Sequence, residues 1–119
     1  MNTRTLSSST ITGQKVYNLK GENIGDIKDL MINPAKANVE YAVLEFGGFL
    51  GIGSKYFAIP LEALQFSEKE EKIMLDVNKE KLENAPSFDK DNWPSSADPE
   101  FVNSVYTHYG YEKRHSSAL

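Results

Sequence analysis

The residues best equipped to do chemistry are a glycine-rich run, two histidines and two pairs of acids. Gly47-Gly48-Phe49-Leu50-Gly51-Ile52-Gly53-Ser54-Lys55 invites comparison with a phosphate-binding loop, since a hydroxyl residue and a lysine follow its last glycine. Such a loop places lysine directly after that glycine, the hydroxyl residue next, and a helix behind them. Here Ser54 precedes Lys55 and an extended pattern follows, so the order needed to wrap a phosphate is missing. A dinucleotide fingerprint fails as well, because Gly51 and Gly53 have no third glycine and no helix to receive a pyrophosphate.

His108 and His115 are the only imidazoles, and no HExxH-like spacing ties either to carboxylates, so no metal site is expected. His108 reads as a helix-flank residue beside Tyr109. Asp26 with Asp29, and Asp89 with Asp91, read as solvated acids on turns and strand exteriors. The chain has no cysteine, which excludes disulfides, thiol catalysis and thiolate metal sites. With no nucleophile beside an evident base, no catalytic residue and no cofactor are expected, and the chain reads as a non-enzyme.

Composition narrows the partners. A net charge of -4 and a pI near 5.2 argue against direct nucleic-acid binding, because phosphate contacts need a basic surface. The nearest basic cluster is only Lys113, Arg114 and His115. No window reaches the roughly 20 apolar residues that span a bilayer, and Met1 to Ile11 lacks the apolar centre of a signal peptide. No membrane insertion and a cytoplasmic location are therefore the expectation. The 119 residues suit one modest domain with a short appendage.

The elements that position these residues centre on Tyr41 to Leu64. Over Tyr41 to Phe46, Tyr41, Val43 and Glu45 share one face and Ala42, Leu44 and Phe46 the other, the period of a strand. The second face is the better core candidate. Gly47, Gly48, Gly51 and Gly53 then shape a long hairpin connection, and Lys55 to Ile59 resumes the strand until Pro60 removes an amide donor. One helical turn follows at Leu61 to Leu64.

A flexible lead-in is expected over residues 1–10. A first short strand ends at Val16 and Tyr17, and Asn18 to Gly21 forms a turn whose glycine can take the left-handed position. The next strand runs from Asn23 to Ile32, where Ile24, Leu30 and Ile32 share a phase that Ile27 breaks. Either both faces are partly covered or a bulge near Lys28 and Asp29 resets the register. A last strand lies at Lys72 to Val77, and short strands at this spacing predict an all-β barrel or small sandwich.

Beyond it, Lys79 to Ala85 predicts a short helix that Pro86 stops. Phe88 to Pro94 reads as an ordered aromatic loop. Asp98 and Pro99 start a final helix that carries Phe101, Val105 and Tyr109 on one flank and Val102 and Tyr106 on the next, with Gly110 at its end. This segment is too small to be a domain, so its apolar side must cover either its own barrel or a second subunit. Residues 112–119 read as a loose tail.

Several of these residues together resemble the PRC-barrel family: Ile11-Thr12-Gly13, Val16-Tyr17, Gly21 with Ile24-Gly25, Ile27 and Asp29 to Ile32, Tyr41 to Leu44, Gly47 to Gly51, and Phe57 to Pro60. The resemblance covers roughly Ile11 to Val77, and the aromatic ending resembles that of stand-alone bacterial members. It implies a small antiparallel barrel of about six strands, spanning residues 11–85, with residues 86–111 packed on it or on a second subunit. It further implies an assembly or regulatory module without chemistry of its own.

Two functional expectations follow. The first is a protein-interaction module that self-associates, as a homo-oligomer with a dimer the first expectation, and that can hold a further protein partner. Its apolar anchors would be Phe49, Leu50, Ile52, Trp93, Phe101, Val105 and Tyr109. The second, from the resemblance alone, is an accessory factor in RNA processing or ribosome maturation that acts through a protein partner.

Overall fold

A computed structural model describes residues 5–47, 54–67, 72–89, 92–94 and 99–111. The first element among the described residues is a one-turn helix, α1 (Ser8–Ile11), which falls where a flexible lead-in is expected. Ser7 starts it by accepting a hydrogen bond from the Thr10 amide, and Ile11 is buried in the core, which together hold so short a turn.

Among the described residues, seven strands form one sheet: β1 (Lys15–Tyr17), β2 (Asn23–Asn33), β3 (Asn38–Gly47), β4 (Ser54–Ile59), β5 (Leu64–Ser67), β6 (Lys72–Leu75) and β7 (Ser87–Phe88). Their spatial order is β5-β6-β1-β2-β3-β4-β7. Val16, Ile24, Ile27, Leu44, Ile59, Leu64 and Leu75 all point into one buried cluster, so the sheet curls around a single core as a barrel does. The expected all-β architecture therefore holds, with three differences in detail. There are seven strands instead of about six, the two edges β5 and β7 do not close on each other, and β1 pairs with β6 in parallel.

Two of these differences follow from how the chain is connected and paired. Parallel neighbours require a long intervening connection, and the whole of β2 to β5 lies between β1 and β6. The extra strand arises because Phe88 pairs with Tyr56 and Ser87 with Phe57, which adds two residues to the edge of β4.

In β2 the buried residues Ile24 and Ile27 and the half-buried Leu30 all pack on the core, although a strict alternation would put Ile27 outside. The ladder to β3 shifts between Ile27 and Asp29, at the expected bulge, and the ladder to β1 shifts near Gly25. Gly25 has a φ of +134°, and a Cβ there would lie 2.5 Å from the Glu45 carbonyl oxygen. Ile32, expected in phase with Ile24, is instead 60% exposed, beside the second shift of this ladder between Met31 and Ile32.

Helix α2 (Lys79–Glu83) is capped by Asn78, whose side chain accepts from the Lys81 amide at 2.7 Å, and it buries Leu82 against the barrel core. A single 3-10 turn at Leu61–Ala63 joins β4 to β5. The last element, α3 (Pro99–His108), begins with a proline whose missing amide is not needed there and ends before Gly110, at a φ of +82°. Among the described residues no helix is long and apolar enough to cross a membrane.

Candidate functional site

The central strand β3 is buried on both faces. Ala42, Leu44 and Phe46 fill the barrel core, while Tyr41 and Val43 join a second buried cluster outside it, with Tyr56 and Ala58 of β4, Phe88 of β7 and Val102, Val105 and Tyr106 of α3. The preference for one face is thus half of the answer, because α3 of the same chain supplies the cover for the other.

Helix α3 is held by ring packing and by a polar latch at Tyr106. The Phe101 ring meets Tyr41 edge-on at 5.8 Å and Phe88 at 6.1 Å. The Tyr106 hydroxyl donates to the Glu40 carbonyl at 2.9 Å and lies 3.3 Å from the Glu62 carboxylate. Val105 has no solvent exposure. Tyr109 reaches both buried clusters, and its hydroxyl is buried with no hydrogen-bond partner, so desolvation pushes its pKa well above the ordinary tyrosine value.

Trp93 sits differently. Its ring packs on Tyr56 at 5.3 Å and on Phe88 at 5.0 Å, yet the residue stays 37% exposed. Below it, a straight row of directly opposed residues crosses five strands: Lys15 of β1, Asp26 of β2, Glu45 of β3, Tyr56 of β4 and Phe88 of β7. All lie on the outer face of the sheet, by alternation from Val16, Leu44 and Phe57, which point inward.

Lys15 approaches Asp26 at 3.9 Å with both side chains half in solvent, a pair of little energetic weight. Glu45 is half-buried and has no ion pair or hydrogen bond from its side chain among the described residues. Tyr56 is 5% exposed, and its hydroxyl, which stays open to the surface, has no partner among the described residues either.

The expected anchors thus separate. Phe101, Val105 and Tyr109 come together under α3 against the chain's own sheet, and Trp93 stands at the open edge of that same cluster. Phe49, Leu50 and Ile52 lie outside the described residues, as do Gly48, Gly51 and Gly53; Gly47 is the last residue of β3, paired with Ser54. His108 sits on the flank of α3, with Nε2 3.2 Å from the Lys81 carbonyl and its ring edge-on to Tyr109. Among the described residues no group of three His, Asp or Glu side chains converges as a metal site.

Sequence reasoning did not single out Glu45, Tyr56 or Tyr106. Glu45 carried a signal: it is the one charge on the Tyr41, Val43, Glu45 face, and it becomes meaningful once that face is known to be covered only in part. The partners of Tyr106 lie on β3 and beside the 3-10 turn, far off in sequence, where no local pattern points to them.

A family model described as the PRC-barrel domain matches residues 4–82, which takes in α1 to most of α2 and stops before β7, Trp93 and α3. Comparison with curated proteins finds no match. Among solved structures, the chain is similar to one from Pseudomonas aeruginosa provisionally described as a 16S ribosomal RNA processing protein, RimM. The two share 14% identity at a TM-score of 0.42, over 63% of this chain and 45% of that one, so this chain spans less than half of that protein's length.

Proposed function

The chain belongs to the PRC-barrel domain family, and we propose that it works as a non-enzymatic assembly module that binds protein, a second copy of itself first. The observation that carries this reading is Trp93, a large ring left 37% exposed on the aromatic cluster that α3 otherwise covers. Tryptophans in that setting, anchored below and open above, are the residues on which interfaces concentrate their energy. Phe49, Leu50 and Ile52, apolar residues of the β3 to β4 connection, are proposed as further anchors of self-association.

Sedimentation velocity over a range of concentrations tests this reading, with a mass rising from the 13.3 kDa of one chain toward twice that value. Trp93→Ala weakens the association by about tenfold or more, as truncation of an interface anchor does. Leu50→Ser weakens it to a similar degree. A 13.3 kDa particle at every concentration contradicts self-association.

A further inference from the structure

The outer sheet face beside Trp93 carries an unspent set of binding groups. Asp26 and Glu45 stand directly opposite each other on neighbouring strands, an arrangement of like charges that weakens a sheet unless something compensates it. Lys15 reaches only Asp26, at 3.9 Å. Next along the row is Tyr56, more than nine-tenths buried, with a hydroxyl that reaches the surface and bonds to nothing among the described residues. The open face of Trp93 closes the row.

We propose that this strip, Asp26, Glu45, Tyr56 and Trp93, is a docking site for an extended lysine- or arginine-bearing segment of a partner protein. The inference rests on reading the chain as a binding module and names the chemistry of a partner other than itself. Charge decides the occupant. A cation laid between Asp26 and Glu45 relieves their repulsion, the Tyr56 hydroxyl accepts a donor from the same or the next residue, and a second cation stacks on the indole of Trp93.

The dimensions agree with a short peptide. From β2 to β7 the strip crosses three strand spacings of about 4.8 Å each, roughly 14 Å, which an extended segment of about four or five residues covers. A second copy of this chain, which the Trp93 ring can still anchor, fits less well over the Asp26 and Glu45 end of the strip, because each copy carries a net charge of -4 and a two-fold contact centred there sets one acidic pair against the other. Nucleic acid is disfavoured by the same charges.

The test uses the full chain and its single tryptophan, which is Trp93 itself, as the reporter. A blocked peptide of alternating lysine and serine is titrated while emission is followed, beside an arginine counterpart and a glutamate counterpart. The lysine and arginine peptides give a saturable shift that weakens as salt is raised, and the glutamate peptide gives none.

The double variant Asp26→Asn, Glu45→Gln binds the basic peptides at least about tenfold more weakly. Because it removes a like-charged pair, its melting temperature is unchanged or higher, so lost binding is not lost folding. Glu45→Lys also loses the basic peptides. Equal binding by wild type and the double variant, a response to the glutamate peptide, or no saturable response at all overturns the proposal.

Sedimentation of the same samples separates the two readings. A peptide response in a chain that stays monomeric removes self-association and leaves the basic docking site. Self-association that shifts Trp93 emission and that the basic peptides do not affect removes the docking site and leaves the assembly module.

Discussion

Val105→Ala asks directly whether α3 is built into its own domain. Val105 has no exposed surface and shares a buried cluster with Tyr41, Val43 and Ala58 of the sheet and with Val102 and Tyr106 of α3. The change removes two carbons, worth about 1.6 kcal/mol of transfer free energy at roughly 0.8 kcal/mol each. The cavity left behind adds about 1 kcal/mol, because the sheet cannot follow the helix inward. Alanine is the better helix former and returns about 0.5 kcal/mol. The net loss is therefore about 2 kcal/mol, which lowers the urea midpoint by roughly 1 M at a slope of about 2 kcal/mol per molar.

The assay is urea unfolding at submicromolar concentration, followed by Trp93 emission and far-ultraviolet circular dichroism together. Asn103→Ala, an exposed site on the same helix, is the control and gains a few tenths of a kcal/mol, about 0.5 at most. The sign is the decisive feature. If α3 covered only a second subunit, a dilute monomer would have Val105 in water and Val105→Ala would stabilise it like the control. A midpoint that rises, or that moves less than about 0.3 M, refutes cis packing as the source of α3 stability.

Three further outcomes follow from the same geometry. Tyr109→Phe removes a buried hydroxyl that bonds to nothing and raises stability by about 1 kcal/mol, read from the same unfolding curves. Burial raises the Tyr109 pKa in the folded state, so its contribution to stability is full below the unfolded value of about 10 and is lost as pH rises above it; the alkaline fall in melting temperature is correspondingly shallower in Tyr109→Phe. Gly25→Ala forces a Cβ against the Glu45 carbonyl at a positive φ, and thermal melting shows a loss of roughly 3 kcal/mol, with no comparable loss for alanine at the exposed Lys28.

Local patterns carried much of the fold. The alternation from Tyr41 to Phe46 places β3, the phase break in Asn23 to Ile32 places the bulge, and Pro86, Pro99 and Gly110 mark limits of the two later helices, all because these signals act within a few residues. What needed the folded chain was pairing at a distance. Nothing local says that Val16 lies beside Ile73 in parallel, or that Phe88 becomes an edge strand by seating its ring on Tyr56. The strip of Asp26, Glu45 and Tyr56 is hidden for the same reason. Which residues oppose each other depends on the shifts at Gly25 and Ile27, and each shift moves every later residue of β2 along the ladder.

The cover of β3 by its own α3 leaves the Trp93 edge as the open part of that face, and isotope-filtered NMR tests this most directly. In an equal mixture of labelled and unlabelled chains, contacts of the Phe101 ring with Tyr41 and Phe88 are predicted to arise only within one molecule. The same contacts appearing between labelled and unlabelled chains would contradict the account, since α3 would then belong to a neighbour and the uncovered face would lie elsewhere.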